Sequence, residues 1–369
     1  MKNTQISLRQ CGIIIAMCIF ANKILLMPSL MFENSKSDSI FVLIFLFALD
    51  FIALPIFLRL KKHYPTERLY DILKDKIGVF VTKLIFILLI VFFFFKCLLV
   101  FSVTYVYFKN QIYHDEFIFL AFISFLPVIS HAAIVGIRAF SRTMELFFFF
   151  VIAGFIVCLC ISLFTPISMP YFFTTTAKDF FTSTYNHIFS FGDFAFLFLV
   201  IDRIKISDGE EKSIYKYAFF SMLLVLILYI LFFAKYQITA FMHNNALADM
   251  LVFSVQFNAI GRLDIIAMIT IMLMTVFQME IFSFAFCECF QSIFPLLNRA
   301  YAIAFFDILF CVLYYVFVGK YENVVSSVVS WLPVLGMIVS YLLPILFWII
   351  SYQKTVSYTH LTLPTILRV

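Results

Sequence analysis

Apolar runs of roughly 20 residues, the length a helix needs to cross a bilayer core, recur along the whole of this 369-residue chain. With 64% hydrophobic and only 13% charged residues, a soluble fold could not hide that much apolar surface. The sequence therefore reads as an all-α polytopic membrane protein. The runs predict ten transmembrane helices, near residues 11–31, 38–60, 79–107, 117–137, 144–164, 188–204, 214–240, 264–292, 300–318 and 331–351. They form a single transmembrane domain over 1–354, with no soluble domain and no short-period repeat.

A net charge of +5 points to nucleic acid only until the charges are placed. Sixteen Lys and Arg fall in one set of alternate connections and five in the other. That asymmetry predicts both termini in the cytoplasm and basic residues against anionic lipid heads; no nucleic-acid partner is expected. The eight cysteines all fall within or at the ends of apolar runs, where they read as small packing groups. The two Cys-x-Cys pairs, at 158/160 and 287/289, project to opposite sides of a helix, so neither makes a local metal clip or disulfide. Phe92 to Phe95 and Phe147 to Phe150 read as lipid-facing bulk. No phosphate loop, metal-spaced cluster or nucleophile elbow occurs, so no enzyme activity, cofactor or metal is expected.

Connections carry three further expectations. Leu69, Ile72, Leu73 and Ile77 predict a short amphipathic helix on the inner surface. Residues 165–187, rich in Thr, Ser, Pro and Tyr, and residues 241–262 predict caps on the outer side. The last residues, Val356-Ser357-Tyr358-Thr359-His360-Leu361-Thr362-Leu363-Pro364-Thr365, resemble a translated sequencing adapter, so 355–369 is read as a non-native tail.

Ten helices divide into five and five, and an odd number per half gives the second half the opposite orientation, as in inverted-repeat transporters. The first helix of each half then carries an interruption. Span 1 holds Ala21-Asn22-Lys23 and, five residues after the lysine, Pro28. Span 6 opens with Ser190-Phe191-Gly192-Asp193. Matched breaks of this kind point to a binding site at the bilayer midplane.

Several segments together resemble one family. They are Ile6-Ser7-Leu8-Arg9-Gln10, Leu25-Leu26-Met27-Pro28-Ser29, the run from Gly136 to Leu146, Ser190-Phe191-Gly192-Asp193-Phe194 and Gly261-Arg262-Leu263-Asp264. The chain is similar over residues 4 to 353 to the B subunit of spore germinant receptors, the endospore germination permease family of the amino acid–polyamine–organocation transporter superfamily. That resemblance implies a LeuT-like 5+5 inverted repeat with discontinuous helices 1 and 6. It implies recognition of a small germinant such as an amino acid, and A and C partner subunits in the inner spore membrane. The alternative is an amino-acid permease with alternating access. Where the superfamily has a glycine-rich break in span 1, this chain has Ala21-Asn22-Lys23.

The candidate ligand-binding residues are Ala21, Asn22, Lys23, Ser190, Phe191, Gly192, Asp193 and Glu280. Lys23, Asp50, Lys96, Glu280 and Asp307 are the main charges at membrane depth; each costs about 2.5–3.5 kcal/mol on insertion scales, so partners are expected. For Lys23 three roles stand open: replacing a coupling cation with Glu280 as counter-charge, meeting a ligand carboxylate, or forming a structural ion pair. Arg142 with Glu145 reads as a local pair, and His131 as a core histidine without a partner.

Overall fold

The first helix is apolar on every face, and such a helix belongs inside a bundle, not at its rim. In the structure, a computed structural model, α1 (Leu8–Ile24) is buried from Cys11 to Ala21 and packs chiefly on two long helices of the second half. The structure describes residues 5–111, 125–164, 167–206, 210–243, 245–252, 264–319 and 322–361.

Ser7 caps α1. Its hydroxyl accepts from the Gln10 N–H, and the Gln10 side chain accepts from the Ser7 N–H, so two otherwise orphaned donors are satisfied. Just before this cap, β1 (Ile6–Ser7) pairs in parallel with β2 (Ile204–Lys205), with Ile6 opposite Ile204. The start of the first helix is thereby tied to the segment that follows the second broken helix.

The chain continues through α2 (Met27–Ser35), α3 (Ser39–Phe51), α4 (Ala53–His63), α5 (Leu69–Ile77) and the long α6 (Val79–Gln111). After it come α7 (Leu126–Val135), α8 (Ile137–Ser162), α9 (Ala177–His187), α10 (Ala195–Leu199), α11 (Glu211–Tyr236) and α12 (Ala246–Val252). The described chain ends with α13 (Asp264–Ile293), α14 (Arg299–Gly319), α15 (Glu322–Met337) and α16 (Leu343–Leu361). A π-turn over Ile338–Leu342 joins the last two. The fold is all-α and of membrane type: six helical stretches among the described residues are long and apolar enough to cross a bilayer. α6 against α13, and α1 against α11, form its centre.

Several expectations meet the structure directly. Residues 69–77 are the expected amphipathic helix, α5, with Leu69, Ile72 and Leu73 buried. Within 165–187, the structure has a helix, α9, where a capping connection is expected. Its polar residues mask it in hydropathy, yet Thr176 and Asp179 form a capping box at its start. The preceding stretch is fastened by Asp38, whose carboxylate accepts from the N–H groups of Phe173, Thr174 and Thr175 at 2.6–2.9 Å and from the Thr175 hydroxyl.

Of the run Phe92–Phe95, the first three residues are not lipid-facing. Phe92, Phe93 and Phe94 are buried because α6 is central, and their rings meet Phe189, which precedes the second interruption, and Phe282 and Phe286 of α13. Phe149 and Phe150 on the peripheral α8 do face outward. All eight cysteines are free thiols; Cys160 is exposed, and so is not a packing group. Glu145 pairs with Arg9 at 3.2 Å and accepts from Gln10, not from Arg142, because the start of α1 lies beside α8. α16 runs on to Leu361, through the first residues of the expected tail; 362–369 lie outside the described residues, as do Gly261 to Leu263.

Candidate functional site

Helix α1 ends one residue after Lys23. Leu25 leaves helical geometry (φ −93°, ψ −105°), and α2 starts at Met27 with Pro28 in its first turn, where a missing N–H costs nothing. The break therefore lies at Leu25–Leu26, later than Ala21–Lys23. Pro28 lies in the first turn of the second helix; the interruption itself comes before it. The Leu25 carbonyl freed by the break accepts from the Ala246 N–H at 3.3 Å, at the start of α12.

The second interruption falls where the sequence places it. A 3-10 turn over Ile188–Ser190 leads to extended Phe191, then Gly192 at φ +82°, then a turn through Asp193 and Phe194 into α10. Only glycine adopts that φ without strain. It also leaves room for a neighbour: a Cβ on Gly192 would lie 2.2 Å from Ser340 Oγ.

These two breaks bring their charges together. Lys23 Nζ donates to Asp193 Oδ2 at 2.5 Å, and Lys96 Nζ, from the middle of α6, donates to Asp193 Oδ1 at 2.6 Å. All three side chains are buried, none more than 3% exposed. Lys96 also reaches the Ser190 carbonyl at 3.4 Å. Aromatic faces complete the cage: Phe191 lies under the Lys23 ammonium at 4.8 Å, with Phe92 and Phe282 beside that of Lys96. Asp50, near the end of α3, accepts the Gly192 N–H on Oδ1 at 2.9 Å, while its Oδ2 is buried with no hydrogen-bond partner.

Of the predicted residues, Lys23, Ser190, Phe191, Gly192 and Asp193 converge here. Ala21 lies buried in the last turns of α1, two residues before Lys23. Asn22 occupies the same turn. Glu280 does not join them. Its carboxylate lies 3.6 Å from His131 Nδ1, so the expected Lys23–Glu280 pair is replaced by Lys23–Asp193. His131 is thus not partnerless, and its side chain is 52% exposed, so it is not a core histidine. Asp307, another of the membrane-depth charges, accepts from the Ser130 hydroxyl at 2.7 Å. The residues missed as site members are Lys96 and Asp50. Both stood out as isolated charges in apolar runs, but nothing local in the sequence says that they meet the broken helices.

A second charged network lies at the end of the bundle that holds β2. Arg203 grips Glu288 of α13 with both Nη atoms, and Arg299 Nη2 lies 2.9 Å from the same carboxylate. Asp202 lies within 4.0 Å of Arg68 and Arg203. A cavity of about 220 Å³ opens among Arg68, Asp202, Arg203 and Glu288.

An all-α bundle with a buried, charged centre built on two broken helices defines an integral membrane protein of the permease type. Residues 5–320 match the family described as spore germination protein, and the chain belongs to that family. No curated protein sequence matches it.

Proposed function

We propose that the chain is the membrane-embedded, ligand-sensing subunit of a germinant receptor, and that the Lys23–Asp193–Lys96 cluster is where it meets a small, amino-acid-like germinant. In this reading ten spans form a 5+5 inverted repeat in the inner spore membrane, with both termini in the cytoplasm and A and C subunits as partners. One observation carries it: two ammonium groups from different helices share a single carboxylate at the break of a third element. A ligand carboxylate competes with Asp193 for either lysine, and that exchange separates or joins the elements that carry them. Binding energy is thereby converted into helix displacement. Glu280 remains a candidate ligand contact by its burial, through a different face from the cluster.

The purified protein in lipid nanodiscs, titrated with each proteinogenic amino acid, tests this by thermal shift. At least one amino acid is expected to stabilise the protein, and Lys23→Met and Lys96→Met to abolish its effect. Unchanged germinant response in spores carrying Lys23→Met, with normal receptor assembly, would dispose of the reading. The permease alternative draws on the Arg203–Glu288–Arg299 network, which lies at one end of the bundle, where a gate would stand. Accumulation of an amino acid in vesicles containing this subunit alone decides for it.

A further inference from the structure

The cluster is unevenly paired. It holds two lysines and two aspartates, yet both ammonium groups bond to Asp193 and neither to Asp50. Asp50 keeps one donor, the Gly192 N–H on Oδ1, while Oδ2 has none, although the residue is 1% exposed. A buried carboxylate oxygen without a donor is costly, and a bound proton is the smallest thing that removes the cost.

Two further buried polar atoms near the break have no partner either. Ser340 Oγ, 4% exposed as a residue, is so close to Gly192 that a Cβ there would meet it at 2.2 Å; it too has no hydrogen-bond partner. The next residue, Tyr341, has a buried hydroxyl without one. Both lie on the π-turn Ile338–Leu342, a local widening of the helix that frequently marks functional sites.

We infer that Asp50 is a proton-binding site, in which the carboxyl takes a proton on Oδ2 and the O–H so formed turns to the Ser340 hydroxyl beside the break at Gly192. The step balances: an O–H bond forms on Asp50, the solvent donor loses that proton, and no electrons move. Its consequence is electrostatic. With both aspartates ionised the four charges cancel, and one proton on Asp50 leaves the cluster with a single net positive charge.

The groups facing Asp50 are Lys23 and Cys18 from α1, Lys96 from α6, Asp193 from the break and Tyr341 from the π-turn. From α11, Tyr215 packs on the neighbouring Phe51, and in α9 His187 is bound to the Ser183 carbonyl.

Infrared difference spectroscopy of the protein in nanodiscs, titrated over roughly pH 5–9, reads the site without a ligand. The expected result is a neutral-carboxylic-acid C=O band that grows on acidification and disappears in Asp50→Asn. It should move to higher frequency in Ser340→Ala, which removes its hydrogen bond, and persist in Glu280→Gln and Asp307→Asn. If Asp50→Asn does not fold, ¹³C-labelled aspartate in the otherwise unchanged protein and the Ser340→Ala shift decide the assignment. No titrating band, or one that survives Asp50→Asn or ignores both Ser340→Ala and the aspartate label, overturns the inference.

Discussion

Replacing Asp193 by Asn removes the carboxylate that both buried ammonium groups share. In the intact protein each lysine has one carboxylate oxygen, at 2.5 and 2.6 Å, and its side chain is no more than 3% exposed. Asparagine keeps one acceptor oxygen, so one lysine retains a weakened hydrogen bond and the other loses its partner. Stranding a buried charge in this way costs about 3–5 kcal/mol, which is roughly 10²–10⁴ in the folding equilibrium. Because the cost is one of uncompensated charge and not of lost packing, removing a lysine as well restores most of it: in Asp193→Asn with Lys96→Met, only Lys23 and Asp50 remain, one of each sign. The assay is thermal stability by fluorescence-detected size exclusion in one detergent at one protein concentration. An Asp193→Asn variant as stable as the parent, or a double variant less stable than Asp193→Asn alone, refutes the reasoning.

Three other outcomes are expected. A Cβ on Gly336 would lie 2.7 Å from the Phe189 Cα, a backbone atom that cannot swing aside, so Gly336→Ala costs about 1–3 kcal/mol in the same melting assay. Glu288→Gln leaves Arg203 and Arg299 without their shared anion, and denaturant titration should show a loss of about 1.5–3 kcal/mol. Asp249, in α12, has its carboxyl raised above the usual range by burial, against the Asn245 N–H and His243, which lower it. Its fold therefore favours the protonated acid, and that contribution is present at low pH and lost as pH rises through the raised value. Asp249→Asn has no such proton to lose, so its stability relative to the parent should grow with pH, as read from melting curves across the range.

Much of the site was legible because charge in hydrocarbon is expensive wherever it occurs. Lys23 and Asp193 stand out in any apolar run, and Gly192 beside Asp193 marks a break by its backbone freedom alone. What the sequence withholds is the pairing. Glu280 is as buried and as acidic as a counter-charge should be, but α13 turns it toward α7 and His131. Lys96 sits within a run of phenylalanines that reads as lipid-facing until α6 is seen at the centre. Residues 177–187 form a helix on the strength of a capping box and tertiary contact, with too little hydropathy to signal it. Ser340 depends on a π-turn, a one-residue irregularity that no periodicity announces.

The shared carboxylate also imposes an order on biogenesis. Asp193 lies 170 residues after Lys23 and 97 after Lys96. At about 5–20 residues per second of synthesis, Lys96 waits roughly 5–20 s on the ribosome's schedule before its counter-ion exists. Through that interval the first and third apolar segments each carry an ammonium without the carboxylate that bonds it in the finished fold. They cannot settle at their final depth without solvent or a chaperone at their side. Closure of the bundle centre is therefore a late event, triggered by the arrival of one aspartate. A chain that stalls before Asp193 leaves the insertion machinery with two cationic helices in place of a finished core.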